Sequence, residues 1–284
     1  MCTVSWLVDV DVDGYQLFFN RDEQRSRSRA LAPQAFQKQD SKVLMPVDPD
    51  GGGSWISVND HGLSLCLLNF YQGKMPEGLL KSRGQLLKSL SGLSAQSKIA
   101  TELSEINLHQ YAPFTLLTFA LDQQPQGFQW DGKTLETLSI KSPMTSSSVA
   151  FDSVYTARQN NFAFLGQAPD ADQLLAFHQS HQPINQTGKH SLSDKYQREE
   201  NGLTIQGELS VCMHRDDAKT VSFSHIQVTD EKATFSYLDG SPCAHHITGI
   251  EALRETANQS CLYRAQTSFN PITSYQQEAV SLEL

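Results

Sequence analysis

Cys2 stands directly after the initiator, and one strand-turn-strand length later the chain reads Asn20-Arg21-Asp22-Glu23. Together these side chains could do nucleophilic chemistry. In the plain reading Cys2 is a small residue buried at the start of a strand. If Met1 is excised, which the small Cys side chain permits, Cys2 carries a thiol and a free α-amine. That amine, with a reference pKa of roughly 7.7–8.0, can act as a base near neutral pH. A nearby guanidinium favours thiolate, and the carboxylates can hold the guanidinium or the amine in place. Asn69 closes the apolar run Leu65-Cys66-Leu67-Leu68. Its amide could donate to a developing oxyanion; the other reading is a strand-end Asn bonded to its own backbone.

The elements that would position these groups are legible from pattern. Thr3 to Val10 alternates, with Val4, Trp6, Val8 and Val10 on one face, and Tyr15 to Phe19 forms a second strand. Asp11-Val12-Asp13-Gly14 is the turn between them. A turn centred between Val12 and Asp13 sets Cys2 opposite Glu23, Thr3 opposite Asp22 and Val4 opposite Arg21, roughly 4.5–5.5 Å apart at Cβ. A second hairpin, Ser54 to Val58 and Leu63 to Phe70, sets Asn69 opposite Gly52. There Gly51-Gly52-Gly53 lets backbone approach a bound group. Beyond it the pattern predicts helix over 79–108 with a break near Gly92, and strands over 114–121, 127–130 and 135–140. Helices are expected over 158–165 and 171–181, then loop over 182–202, then strands over 209–214, 220–228 and 233–238. The tail from Ser241 is weakly patterned. Strands, helices and strands in that order, joined by hairpins, predict an α+β fold of antiparallel sheets covered by helices, in one domain over residues 1–284.

Bulk properties narrow the function. A net charge of −9 with 22 Lys and Arg speaks against nucleic acid as the main partner. Five cysteines without CxxC spacing fit free thiols in a reducing compartment. The N-terminus has no basic n-region, and no run of 18 apolar residues occurs, so a cytoplasmic protein without membrane insertion is expected. No GxGxxG, P-loop or GxSxG is present. Asp9 to Gly14 has the opening of a calcium loop, but the twelfth position is Asn20 where a bidentate Glu belongs, so the stretch reads as a hairpin turn. Cys243-Ala244-His245-His246, His214 and His225 lack partners at ligand spacing, so no metal and no cofactor are assigned. Trp55 reads as core, with ligand stacking as the alternative.

Cys2, Asn20-Arg21-Asp22-Glu23, Gly52-Gly53-Ser54-Trp55, Asn69 and Ser82-Arg83-Gly84-Gln85-Leu86 together resemble the NRDE, or transport-and-Golgi-organisation, family. Ser54 and Gln85 depart conservatively from the family's usual Thr and Glu. The resemblance is clear to about residue 120 and weaker through 210–215 and 219–222. It implies similarity to N-terminal nucleophile hydrolases of the bile-salt hydrolase and penicillin acyltransferase type, hence a four-layer αββα sandwich. Cys2 is then the nucleophile, Arg21 and Asp22 lie beside it, and Asn69 donates to the oxyanion. Where that superfamily often has a second Asn this chain reads Thr145-Ser146-Ser147-Ser148, and Lys219 is the nearest match to its late Arg. Asn20, Glu23, Gly52, Trp55, Ser148 and Lys219 are the implied substrate-binding residues. The implied activity is hydrolysis or acyl transfer on a small amide, thioester or acylated molecule. The alternative is a non-catalytic carrier of haem or acyl lipid, since family members are associated with Golgi organisation, lipid metabolism and haem trafficking.

Overall fold

The computed structural model describes residues 1–9, 14–181 and 206–264. The chain begins with strands β1 (Cys2–Asp9), β2 (Gly14–Gln24), β3 (Leu31–Lys38), β4 (Ser41–Val47), β5 (Ile56–Asn59) and β6 (Ser64–Asn69). Helices α1 (Arg83–Leu90) and α2 (Ser97–Glu105) follow, then β7 (Phe114–Phe119), β8 (Gln126–Trp130), β9 (Leu135–Leu138) and β10 (Met144–Ser146). Next come α3 (Phe151–Ala163), α4 (Ala171–Gln179), β11 (Ala218–Val228), β12 (Lys232–Asp239), α5 (Ile250–Thr256) and β13 (Asn258–Tyr263). The strands form two antiparallel sheets, one in the order β10-β1-β2-β11-β12-β13 and the other running β3 through β9 in sequence order.

Period-two side-chain alternation explains how the sheets stack. Val4, Tyr15, Leu17, Phe19, Ile226 and Phe235 of the first sheet meet Ile56, Val58, Cys66, Leu68, Leu117 and Phe119 of the second in one buried layer. The intervening residues Leu65, Leu67, Phe114 and Leu116 face outward under Leu86, Leu87, Leu90, Ile99 and Leu103 of α1 and α2. Phe18, Phe223 and Leu238 face Leu174, Leu175 and Leu253 of α4 and α5. Both faces of each sheet are therefore covered, which is why Leu65-Cys66-Leu67-Leu68 is apolar without a break. The four-layer αββα sandwich of the expected α+β class is what forms.

Several details differ from the pattern-based expectation. The first hairpin pairs Cys2 with Arg21, Thr3 with Asn20 and Val4 with Phe19, and its ladder runs to Asp9–Gly14. The expected partners were thus displaced by two residues, which keeps every side chain on its expected face. Residues 10–13, in the expected hairpin turn, lie outside the described residues, as does the 182–202 loop. The second hairpin is displaced by one: Ile56 pairs with Cys66, and Asn69 pairs with Phe114 of β7 rather than with Gly52. The long helix breaks as expected, because Asn59 Nδ2 donates to the carbonyls of Ser91 (3.0 Å) and Leu93 (2.8 Å) and ends α1 there. The 209–214 segment is buried but forms bends and turns instead of a strand. Helix α3 starts at Phe151, earlier than predicted, because its buried stripe is Val154, Arg158 and Asn161 and two of these are polar. Strands β3, β4 and β10 and the tail elements α5 and β13 carried no clear alternation. Among the described residues no helix is long and apolar enough to cross a membrane.

The packing makes one pH prediction. His178 and His225 are buried, and burial, with Arg158 and Arg254 respectively adding to it, pushes both imidazoles from 6.5 down to about 3. Folded values below the unfolded one mean that this stabilisation is fully present above pH 6.5 and is lost as pH falls toward 3. Each group contributes a slope of up to about 1.4 kcal/mol per pH unit over that window. Urea midpoints should therefore fall steeply between about pH 6.5 and 4.5, and less steeply in His225→Gln. Equal midpoints across that range in the wild type would refute the assignment.

Candidate functional site

The site forms where the N-terminal end of β1 meets the C-terminal end of β2. Asp22 N–H donates to Met1 O at 2.9 Å, and the Met1 α-ammonium donates to Asp22 O at 3.2 Å. Met1 and Asp22 are therefore a hydrogen-bonded pair. The next pair, Cys2 and Arg21, is the close, non-hydrogen-bonded kind with Cα atoms about 4.5 Å apart. Cys2 and Arg21 both point into a cavity of about 410 Å³ between the sheets. Its wall includes Glu23, Arg27, Asp48, Trp55, Asn69, Tyr71, Lys81 and Arg83.

Arg21 is held on three sides. Its guanidinium lies 4.1 Å from the Trp55 ring centroid, with Glu23 Oε2 at 3.3 Å and Asp48 Oδ2 at 3.7 Å. Trp55 thus supports the cation while contributing to the core. Arg27 joins the same carboxylates, at 2.5 Å from Asp48 and 3.7 Å from Glu23. Burial raises the Cys2 thiol and outweighs the α-ammonium and Arg21, which pull it down. Arg21 pulls in the direction expected of a nearby guanidinium, but with Met1 in place burial is the larger effect.

Asn69 reaches the cavity from β6 and donates through Nδ2 to Tyr71 Oη at 2.8 Å. Arg83 sits at the first position of α1 and donates to Pro113 O at 2.9 Å. Glycines bring that helix in. A Cβ on Gly53 would lie 2.2 Å from the Gly84 carbonyl carbon, so the two backbones touch, with Ser54 N–H donating to Gly84 O at 3.1 Å. This close approach is the physical content of the Gly-Gly-Ser-Trp and Ser-Arg-Gly-Gln-Leu stretches. Neither Arg83 nor Lys81 has a carboxylate within salt-bridge distance among the described residues.

Asp22 borders the cavity, yet its carboxylate is wholly buried beneath α3. Thr220 Oγ1 donates to Oδ1 at 2.7 Å, and Arg158 Nη2 lies 3.5 Å from Oδ2. Burial pushes this carboxyl up, opposed first by Arg158 and then by the α-ammonium. Arg158 is completely buried and donates to Thr3 Oγ1, to Thr145 Oγ1 (2.9 Å), and to the carbonyls of Glu208 (3.1 Å) and Ser210 (2.7 Å). Sequence reasoning did not single out Arg158; its only signal was an arginine within a helical segment.

The remaining expected residues are placed differently. Asn20 is buried away from the cavity, its Nδ2 donating to His178 O (2.8 Å) and Val211 O (2.9 Å). Gly52 is set back from the wall at a positive φ of 62°, and its carbonyl accepts from Lys88 Nζ at 3.2 Å. Ser148 is exposed, whereas Ser147 Oγ contacts Met1 Sδ at 2.8 Å. Lys219 pairs with Glu23 across β11 and β2 and lines a neighbouring cavity of about 340 Å³ that shares Arg21, Glu23 and Arg27.

The fold and site define an αββα sandwich protein with a cysteine and a clamped arginine at the mouth of an inter-sheet pocket. The chain belongs to the Transport and Golgi organisation 2 family, whose model matches residues 1–208. No curated sequence is matched by the chain. Among solved structures it is similar to a mutant conjugated bile acid hydrolase from Clostridium perfringens, with 14% identity, TM-score 0.45, and coverage of 84% of this chain and 92% of that one. It is also similar to penicillin V acylase from Agrobacterium tumefaciens, with 12% identity, TM-score 0.44, and coverage of 92% of this chain and 91% of that one.

Proposed function

We propose that the protein, once Met1 is removed, is a cysteine acyl-transfer enzyme or amide hydrolase acting on a small acylated molecule that bears an anionic group. The observation that carries this reading is the convergence of Cys2, Arg21, Asp22 and Asn69 on one cavity. The anionic preference rests on Lys81 and Arg83, cationic wall residues without a carboxylate partner among the described residues, whereas Arg21 and Arg27 are paired with Glu23 and Asp48.

In this mechanism the freed Cys2 α-amine takes the Sγ proton, and the thiolate attacks the substrate carbonyl carbon. The tetrahedral oxyanion accepts a hydrogen bond from Asn69 Nδ2. Collapse breaks the bond to the leaving amine or thiol, which receives the proton from the α-ammonium, and leaves a Cys2 thioester. Water, deprotonated by the same amine, cleaves that thioester to release the acid and restore the thiol. Arg21, fixed by Trp55, Glu23 and Asp48, lends positive potential beside Sγ, and the Asp22 backbone amide also favours the thiolate.

The test compares matched protein with and without Met1, using a weakly electrophilic amide or thioester probe and mapping the adduct by mass spectrometry. Met1-free protein should acylate at Cys2 about 10²-fold faster, with a rate that rises through the α-amine titration near roughly 7.7–8.0. Equal rates would remove the terminal amine from the mechanism. A second reading has one observation behind it: with Met1 in place the Cys2 thiol is buried and raised. In that form the cavity is a binding pocket for an anionic acyl lipid or haem, and ligand titration would be unchanged by Cys2→Ala.

A further inference from the structure

A second cluster lies outside this cavity. His181 lies just past Ser180, the C-cap of α4, Cys212 and His214 lie in the bend before β11, and Cys243 sits on a 3₁₀ turn, Pro242–His245. Cys212 N–H donates to Ser180 O at 2.8 Å and so fixes the bend beside His181. Each of the four residues presents one donor atom, and these atoms all lie within 4.8 Å of one another. His214 Nε2 is 3.3 Å from Cys243 Sγ and 3.6 Å from Cys212 Sγ. A zinc tetrahedron with bonds of about 2.0–2.3 Å has edges of roughly 3.3–3.8 Å, so both separations already match. His181 Nε2 is buried without a hydrogen-bond partner, and its ring lies edge-on to His214 with centroids 5.1 Å apart.

We propose that His181, Cys212, His214 and Cys243 form a closed tetrahedral zinc site. Two thiolates and two neutral imidazoles are the donor set of structural zinc centres, and four protein ligands leave no open position for catalysis. On binding, Zn²⁺ displaces the two thiol protons, and the part-buried assembly becomes electrically neutral. The ligands come from three separate chain segments, so the ion ties the end of α4 and the 3₁₀ turn to the bend.

That bend supports the Asp22 side of the cavity. Met213 N–H donates to Thr220 Oγ1 at 2.8 Å, and Thr220 Oγ1 donates to Asp22 Oδ1 at 2.7 Å. Within the same bend, Val211 O accepts from Asn20 and Ser210 O from Arg158. The proposed role is positioning: zinc holds the backbone on which Asn20, Asp22 and Arg158 depend. The adjacent Cys243-Ala244-His245-His246 run does not act as a unit, since His245 Nε2 is within 3.1 Å of Asp239 O and Cys243 turns to His214 instead. In sequence this run lacks partners at ligand spacing, and Cys212-Met213-His214 is the one usable signal of the site.

The proposal does not depend on the acyl-transfer reading. The test is metal analysis of the full chain purified under reducing conditions with zinc supplied and then desalted over a chelating resin. About one zinc per chain should be retained. Cobalt substitution should give intense tetrahedral visible bands and a thiolate-to-cobalt charge-transfer band. Cys243→Ser and His214→Ala should each bind zinc at least about tenfold more weakly, while Cys261→Ser, at an exposed thiol, retains it. Should the ligand variants fail to fold, the cobalt spectrum of the wild type decides. Retention below about a tenth of an ion per chain, an octahedral cobalt spectrum, or a Cys212–Cys243 disulfide in place of metal overturns the site.

Discussion

Arg158→Met should destabilise the protein by about 3–5 kcal/mol, measured as a drop in urea midpoint at unchanged slope. Against a typical total of about 5–15 kcal/mol this is a large share. Arg158 has no exposed surface, and its donors serve Thr3, Thr145 and the carbonyls of Glu208 and Ser210. Methionine approximates the length of the side chain but donates to none of these acceptors, and it leaves Asp22 as an unneutralised buried carboxylate. The loss comes mostly from that orphaned charge, so the double variant Arg158→Met/Asp22→Asn should recover a measurable part of it. A cost below about 1 kcal/mol for the single variant, or strict additivity in the double, would show that Arg158 and Asp22 do not act as a pair. Because Thr3 is the neighbour of Cys2, the folded fraction of Arg158→Met should also lose its order at the β1 terminus, seen as slower Cys2 acylation.

Cys2→Ala should abolish acyl-adduct formation in Met1-free protein, a fall of at least about 10³-fold, because no other group in the cavity can form the thioester. Stability should change little, since the cavity already borders the thiol and only one sulfur atom is removed. Cys261 is the exposed thiol and would react with any general reagent, so Cys261→Ser is the proper background for the comparison. Cys66 and Cys212 are buried. Arg21→Lys should lie between wild type and Cys2→Ala, because lysine keeps the charge but cannot reproduce the planar stack on Trp55 together with contacts to Glu23 and Asp48. Labelling that persists at another cysteine in Cys2→Ala, at the wild-type rate, would end the nucleophile assignment.

Local pattern alone was enough to bring Asn20-Arg21-Asp22-Glu23 to the Cys2 end of the first hairpin. It missed the true ladder by two residues, because turn geometry inside an acidic stretch leaves register loosely specified. The two-residue displacement preserved the faces, which is why Arg21 points into the cavity with Cys2. The inner and outer faces of β6 and β7 were likewise written in their apolar runs, whereas the Gly51-Gly52-Gly53 run, which suggests backbone approaching a bound group, instead lets Gly53 pack on the backbone of Gly84. None of this could reveal which distant segments meet. Arg158 reaches Asp22, and His181 reaches Cys243, only because antiparallel sheets fold strands and bends from far apart in the chain onto one face. Periodicity records where apolar side chains recur. A buried arginine or a metal-ligand set is polar, unrepeated and assembled from distant segments, so its partners exist only in the tertiary structure.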